Sequence, residues 1–208
     1  MLIVRATKKL AQRLGGFAPA PAEPDLPRLG EWYATVMFWR PQVALFVSET
    51  TLLPVFVPLA PATTVVRRLP AELADVLRRH EVPDAFIDAE LAKMSESLCL
   101  PTASRSMVGV LNEYVRLAEH AHARRGGTPD LGWLSDWLAR TPMGPLRNRS
   151  GFPDRELAAL VARSYSARPL SGVGELPSQR AHVVENRVLG RHGNPPATAT
   201  AATQRSAS

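Results

Sequence analysis

Apolar positions along this chain fall into two periods, and the block from Trp32 to Leu59 is β-like: three apolar segments follow one another with short polar breaks. Trp32 to Arg40 is dense in aromatic and β-branched residues, which suit a pleated, half-buried surface. Val43 to Val47 is a continuous apolar run of strand length, and Leu52 to Leu59 is a third. Pro41, with its fixed φ, supplies the first corner of a tight turn between the first two. Ser48-Glu49-Thr50-Thr51 separates the second from the third. The pattern predicts an antiparallel meander over 32–59. Pro54 and Pro58 share parity, so both missing N–H groups fall on one lateral side of the third strand, which is therefore predicted to be an edge pairing only with 43–47.

The rest of the pattern is mostly helical. Leu2 to Ala6 reads as a short strand, and Thr7 as the N-cap of a helix through Lys8, Lys9, Leu10 and Leu14 that Gly15-Gly16 ends. Residues 17–30, with Pro19, Pro21, Pro24 and Pro27, read as an extended loop. Pro70 is placed to start a helix with Leu69, Leu73, Val76 and Leu77 on its apolar face up to about His80. Pro83-Asp84 starts another, with Phe86, Ile87, Leu91 and Met94 inward. Ser97 to Leu100 is a further strand closed by Pro101. Ser104 then caps the longest amphipathic helix, reaching about Arg124, with Met107, Leu111, Tyr114, Val115 and Ala118 on one face and Asn112, Glu113, Arg116 and His120 on the other. Leu131 to Ala139 and Pro153 to Tyr165 are the last two helices.

These elements predict a single α+β domain over 1–165, a small, mainly antiparallel sheet (the meander plus strands near 2–6 and 97–100) packed with several helices. Residues 166–208 lack apolar periodicity and end in an Ala/Thr/Ser stretch, so a disordered tail is expected there.

Composition narrows the classes. A chain of 208 residues suits one well-buried domain with a tail. The formal charge of +6 is spread over both parts, with 20 Lys/Arg against 17 Asp/Glu in residues 1–165 and 5 against 2 beyond. Scattered arginine of this kind marks a solvated surface more often than a nucleic-acid footprint. One cysteine, Cys99, excludes an internal disulfide framework and fits a small buried hydrophobe in a reducing compartment. The N-terminus, Met1-Leu2-Ile3-Val4-Arg5, has no long apolar h-region and no stretch reaches the length of a membrane span, so a cytoplasmic protein without membrane attachment is expected.

Two places share one construction, a short strand running into a helix whose first turn carries hydroxyls and cations: Thr7-Lys8-Lys9 and Ser104-Arg105-Ser106. Free N–H groups and the helix dipole favour an anion there, and Lys or Arg adds charge-assisted contacts. Ordinary capping accounts for the same residues. Asn112, Glu113 and Arg116 share a polar helix face, where Glu113 pairs with Arg116 at i,i+3 or serves as a base. Trp32, Tyr33, Phe38 and Trp39 either fill a core or, if exposed together, stack bases. His120 and His122 point apart on a helix, His80 stands alone, and His182 and His192 lie in the tail, so no metal set is expected, and no cofactor. Nucleophile-elbow, phosphate-loop and dinucleotide motifs are missing; Gly172-Val173-Gly174 lacks the strand and helix such a fingerprint needs.

Three stretches together resemble a bacterial family of unknown function: Val4-Arg5-Ala6-Thr7-Lys8-Lys9-Leu10, then Trp32-Tyr33-Ala34 through Leu53-Pro54-Val55, then Arg105-Ser106-Met107-Val108-Gly109-Val110-Leu111-Asn112-Glu113. Family members open with a strand and Thr-Lys-Lys-Leu, continue with a meander, and later carry Asn-Arg-Ser-x-Val-x-x-x-Asn. Ser104 stands here at the first Asn, and Ser48 where an Asn often precedes the glutamate. The resemblance covers roughly residues 1–165 and implies a domain type, without an activity.

The expectation from sequence is a non-enzymatic binding or regulatory protein that recognises an anionic ligand or a protein partner where the Thr7 and Ser104 helix starts meet the sheet. The alternative is nucleic-acid binding through Lys8, Lys9, Arg40, Arg67 and Arg68. Third comes an enzyme whose site joins Arg105, Ser106 and Glu113.

Overall fold

The computed structural model describes residues 1–19, 25–126 and 130–166. The expected tail and the middle of the 17–30 loop lie outside the described residues. Five strands, β1 (Leu2–Ala6), β2 (Trp32–Met37), β3 (Val43–Ser48), β4 (Pro54–Pro58) and β5 (Ser97–Pro101), form one sheet in the order β4-β3-β2-β1-β5. Six helices accompany them: α1 (Lys8–Leu14), α2 (Val65–Arg79), α3 (Asp84–Ala92), α4 (Arg105–Arg125), α5 (Leu131–Ala139) and α6 (Pro153–Ser166).

The fold is α+β with a mixed sheet. The meander β2-β3-β4 is antiparallel as its pattern predicts, with Ala34 opposite Phe46 and Phe46 opposite Val55. The added strands are parallel: β1 lies between β2 and β5 and runs in the same direction as both. Such pairing requires a crossover, which α1 supplies before β2 and the α2-α3 pair before β5.

Alternation along the strands splits the core in two. Val4, Trp32, Ala34, Phe46 and Val55 face α1, α2 and α3, while Tyr33, Leu45, Val47 and Phe56 face α4 and α5. Trp32 and Tyr33 are thus both almost wholly buried, on opposite sides of the same strand. Helix α5 lies beside the β4 edge, sending Leu134 and Leu138 into one core and Ala139 into the other.

Both sheet edges are blunted by proline. The Leu59 N–H donates to the Gln42 carbonyl at 2.9 Å and the Ser48 N–H to the Leu53 carbonyl at 3.1 Å, so the odd-numbered groups of the last meander strand face β3. Pro54 and Pro58 accordingly turn their missing N–H groups outward, as their shared parity requires. On the opposite edge the Leu2 N–H bonds the Glu96 carbonyl, which sends residues 97, 99 and 101 outward and puts Pro101 on the open side. The Cys99 carbonyl there accepts from the Ala18 N–H at 2.8 Å, so part of this edge is covered by the segment after α1.

Three local expectations are revised. The third strand is shorter than 52–59 because Leu52 takes a left-handed φ of 59°, closing the β3-β4 turn. Its carbonyl accepts the buried Tyr114 hydroxyl at 2.7 Å, which ties α4 to that turn. The first strand stops at Met37, and residues 38–42 form the connection, with a cis Arg40–Pro41 bond. Helix α2 begins at Val65, so Pro70 lies inside it; the buried stripe Val65, Leu69, Leu73, Val76 and Leu77 outweighs the one hydrogen bond proline removes. Cys99 is half-buried.

Buried carboxylates pin the loops. Glu90, fully buried, accepts the Arg28 N–H at 2.9 Å and the Leu29 N–H at 3.0 Å. Glu156 accepts the Ser150 N–H at 2.9 Å and pairs with Arg149.

Gly109 sits on the exposed side of α4, and a Cβ built there meets nothing within 4 Å. A helix-interior glycine costs about 0.5–1 kcal/mol relative to alanine. The Gly109→Ala variant should therefore gain about that much stability in urea unfolding; an unchanged or lower midpoint would show that the glycine serves the folded chain itself.

Candidate functional site

The two helix starts singled out by sequence lie at one end of the sheet. β1 and β5 are neighbours in parallel register, with Ala6 opposite Pro101, so Thr7 and Thr102 leave the sheet side by side. From there the chains diverge: α1 buries Leu10 and Ala11 against one face, and α4 buries Met107 and Leu111 against the other. Adjacent parallel strands whose helices leave to opposite faces make a crevice at the strand ends, the place where open α/β sheets bind ligands.

The α4 side of this crevice is formed. Ser104 caps the helix, its Oγ accepting the Met107 N–H at 3.3 Å, as expected. Thr102, Ala103, Ser104, Arg105 and Val108 line an open cleft of about 330 Å³. Arg105 and Ser106 are exposed, and Arg105 takes part in none of the ion pairs among the described residues.

The α1 side differs from expectation. Thr7 is the N-cap residue, but its side chain caps nothing; its Oγ1 lies 3.1 Å from Thr35 Oγ1 on the neighbouring strand. β2 holds Thr7 in extended backbone, the Thr7 N–H donating to the Ala34 carbonyl, which aims the hydroxyl across the sheet. Lys8 is exposed, and Lys9 Nζ lies 5.9 Å from the centre of the Phe38 ring. Neither lysine lines the Ser104–Arg105 cleft.

Behind that cleft stands a polar cluster that strand patterning did not reveal. Arg5 and Tyr33 are directly opposite on β1 and β2. The Arg5 guanidinium grips Glu31 through Nε and through Nη2, the latter donating to Oε1 at 3.0 Å, and Nη1 donates to the Pro101 carbonyl at 3.4 Å. The Glu49 N–H donates to the Glu31 carbonyl at 2.9 Å, bringing a second glutamate beside the first. Partial burial, together with repulsion from Glu31, holds the Glu49 carboxyl above the usual carboxylate range against the pull of Arg5. Burial, with Glu49 next, raises the Tyr33 phenol, while Arg5 and the Ala103 backbone act the other way. The available signal was Arg5 itself, a charge in the otherwise apolar run Leu2 to Ala6.

A family model described as "Domain of unknown function (DUF6933)" matches residues 3–156. The chain belongs to this family. No curated protein and no solved structure matches it. The DUF6933 match runs from β1 into α6 and includes both helix starts and the Arg5 cluster. Ser48 and Ser104, the two serines standing at expected asparagine positions, both have structural work: Ser104 caps α4, and the Ser48 hydroxyl donates to the Leu29 carbonyl at 2.7 Å while accepting from Thr51.

The remaining candidates are dispersed. Glu113 and Arg116 pair with each other through two hydrogen bonds of 2.6 and 3.1 Å, and the Arg116 contact lowers the Glu113 carboxyl. Asn112 is exposed beside them. Neither Ser106 nor Glu113 lines the Arg105 cleft, so that three-residue constellation is not assembled. Among the aromatics, Trp32 and Tyr33 are core, Phe38 is exposed, and Trp39 stacks on His122. Of the five cations proposed for nucleic acid, Arg68 is engaged with the carbonyls of Leu59 and Pro61. No described helix is long and apolar enough to cross a membrane.

His80, just past α2, is half-buried with its Nε2 shielded from solvent, and that atom finds no partner among the described residues, since Asp136 Oδ1 at 3.8 Å is too distant to accept. Burial pushes the imidazole below its ordinary value, aided by Arg140 and Arg79 and opposed by Asp136 and Asp154. The unfolded chain therefore binds more protons than the folded one as pH falls below the ordinary histidine value of 6.5. The stability present at neutral pH is lost between that pH and the lower folded value. Unfolding of the native chain should weaken more from neutral to mildly acidic pH than that of His80→Gln; parallel pH dependences would contradict this.

Proposed function

We propose that the protein is a non-enzymatic binding protein that holds a small anion, phosphate or carboxylate, at the start of α4. The observation that carries this reading is the divergence of α1 and α4 from the ends of adjacent parallel strands, with the Ser104–Arg105 cleft on the α4 side. The N–H groups of Arg105 and Ser106, in the first turn, have no carbonyl within the helix to bond. Ser104 consumes only the Met107 N–H, so its capping is compatible with an anion on the other two. Arg105 is the cation at hand.

The surroundings favour a small anion over a polyanion. Arg5 is neutralised by Glu31, and Glu49 adds negative charge beside that pair, which disfavours an extended phosphate chain. A protein partner would engage the site by presenting one carboxylate or phosphate group there, through the same contacts.

Titration with inorganic phosphate, followed by backbone amide NMR, tests the reading. The largest saturable shifts should fall on Arg105, Ser106 and Met107, and Arg105→Gln should weaken binding about tenfold, or about 1.4 kcal/mol. Unmoved amides at these three residues in millimolar phosphate, or equal binding by the variant, would refute it. Tight binding to mixed DNA or RNA that falls steeply with salt would replace it with the nucleic-acid reading.

A further inference from the structure

A second concavity, independent of the α4 start, lies at the other end of the same helix. Ala121, His122, Arg125, Asp130, Trp133 and Leu134 line a cavity of about 240 Å³ between the last turns of α4 and the first turn of α5. Its walls are rich in flat groups, two of which are held by aromatic rings outside the cavity. The His122 imidazole is stacked by Trp39, with ring centres 4.5 Å apart and planes at 28°. Trp133 is stacked by Trp137, one helical turn on, at 5.8 Å and 9°. The Arg125 guanidinium lies over the Trp133 ring at 3.9 Å. Ala121 and Leu134 form an apolar floor. Trp39, Trp133 and Trp137 all keep part of their surface in solvent, which leaves aromatic area open to a ligand ring.

Each wall contributes a different recognition element. Arg125 is exposed beyond its contact with Trp133, so its planar guanidinium offers a face on which a ring can stack and an edge that pairs with an anion. The last turn of α4 also holds Arg124, which adds positive charge to this end. Asp130 caps α5, its Oδ1 accepting the Trp133 N–H at 3.0 Å, which leaves Oδ2 outside the cap to accept from a ligand donor. The volume lies below the ~300–1,000 Å³ typical of sites that enclose a drug-sized ligand, so it encloses one ring system and leaves a charged substituent outside.

We infer that the α4–α5 cavity binds an amino-bearing planar heterocycle with an anionic substituent, a nucleoside monophosphate being the natural instance: the ring stacks on Arg125 and His122, the amine donates to Asp130, and the phosphate pairs with the terminal arginines of α4. The site uses none of the residues assigned to the α4 start.

The test uses adenosine monophosphate as the probe and the full chain. The four tryptophans give four indole N–H signals in NMR, with Trp133 assigned through Trp133→Phe and fully buried Trp32 as internal control. Adenosine monophosphate should shift the Trp133 signal saturably and leave Trp32 in place, whereas inorganic phosphate should leave Trp133 unmoved. Arg125→Gln, at an exposed position, and Asp130→Asn, which keeps the helix cap, should each weaken the nucleotide about fivefold or more. The inference is overturned by a Trp133 signal that does not respond to the nucleotide, by an equal response to phosphate alone, or by undiminished affinity in both variants.

Discussion

The structure depends most on the position of one short strand, β1, which pairs in parallel with β2 on one side and β5 on the other. Parallel pairing on both flanks forces the chain to return twice across the sheet, and those returns place α1, α2 and α3 on one face. The opposite face is left for α4 and α5. The ends of β1 and β5 then release two helices in opposite directions from neighbouring points, and the crevice at α4 follows from that topology.

Several polar contacts stabilise this arrangement from within. Tyr114 donates to the carbonyl of left-handed Leu52, Glu90 holds the chain entering β2, and Glu156 holds the turn before α6. Arg5 differs in kind, because it joins β1, the residue before β2 and the end of β5 through Glu31 and the Pro101 carbonyl. Its bond to the Pro101 carbonyl ties β1 to the strand from which the Ser104–Arg105 loop departs. Arg5 is neutralised by Glu31, and Arg105 is the cation that lines the cleft.

The elements were readable wherever period and punctuation agreed. Leu131 to Ala139 and the meander with its proline-marked edge follow from residues close in sequence. The directions of β1 and β5 were not readable, because strand pairing over long separations leaves no local trace. Pro70 misplaced a helix start because the inward stripe of α2 began a turn and a half earlier, and burial outweighed the proline signal. For the site, Ser104 capping and the Glu113–Arg116 pair were visible from spacing alone. Thr7 was misread because its hydroxyl partner, Thr35, lies on another strand. The Arg5–Glu31–Glu49 grouping and the flat-walled cavity at the far end of α4 join residues from several elements, which periodicity within one element does not report.

The central claim is that the juxtaposed ends of β1 and β5 create an anion position belonging to α4 rather than to α1. A crystal structure grown with tungstate, located by its anomalous scattering, tests it most directly. The account predicts an ion within hydrogen-bond reach of the Arg105 and Ser106 N–H groups. Ions bound at Lys8 and Lys9, with none at the α4 start, would contradict it.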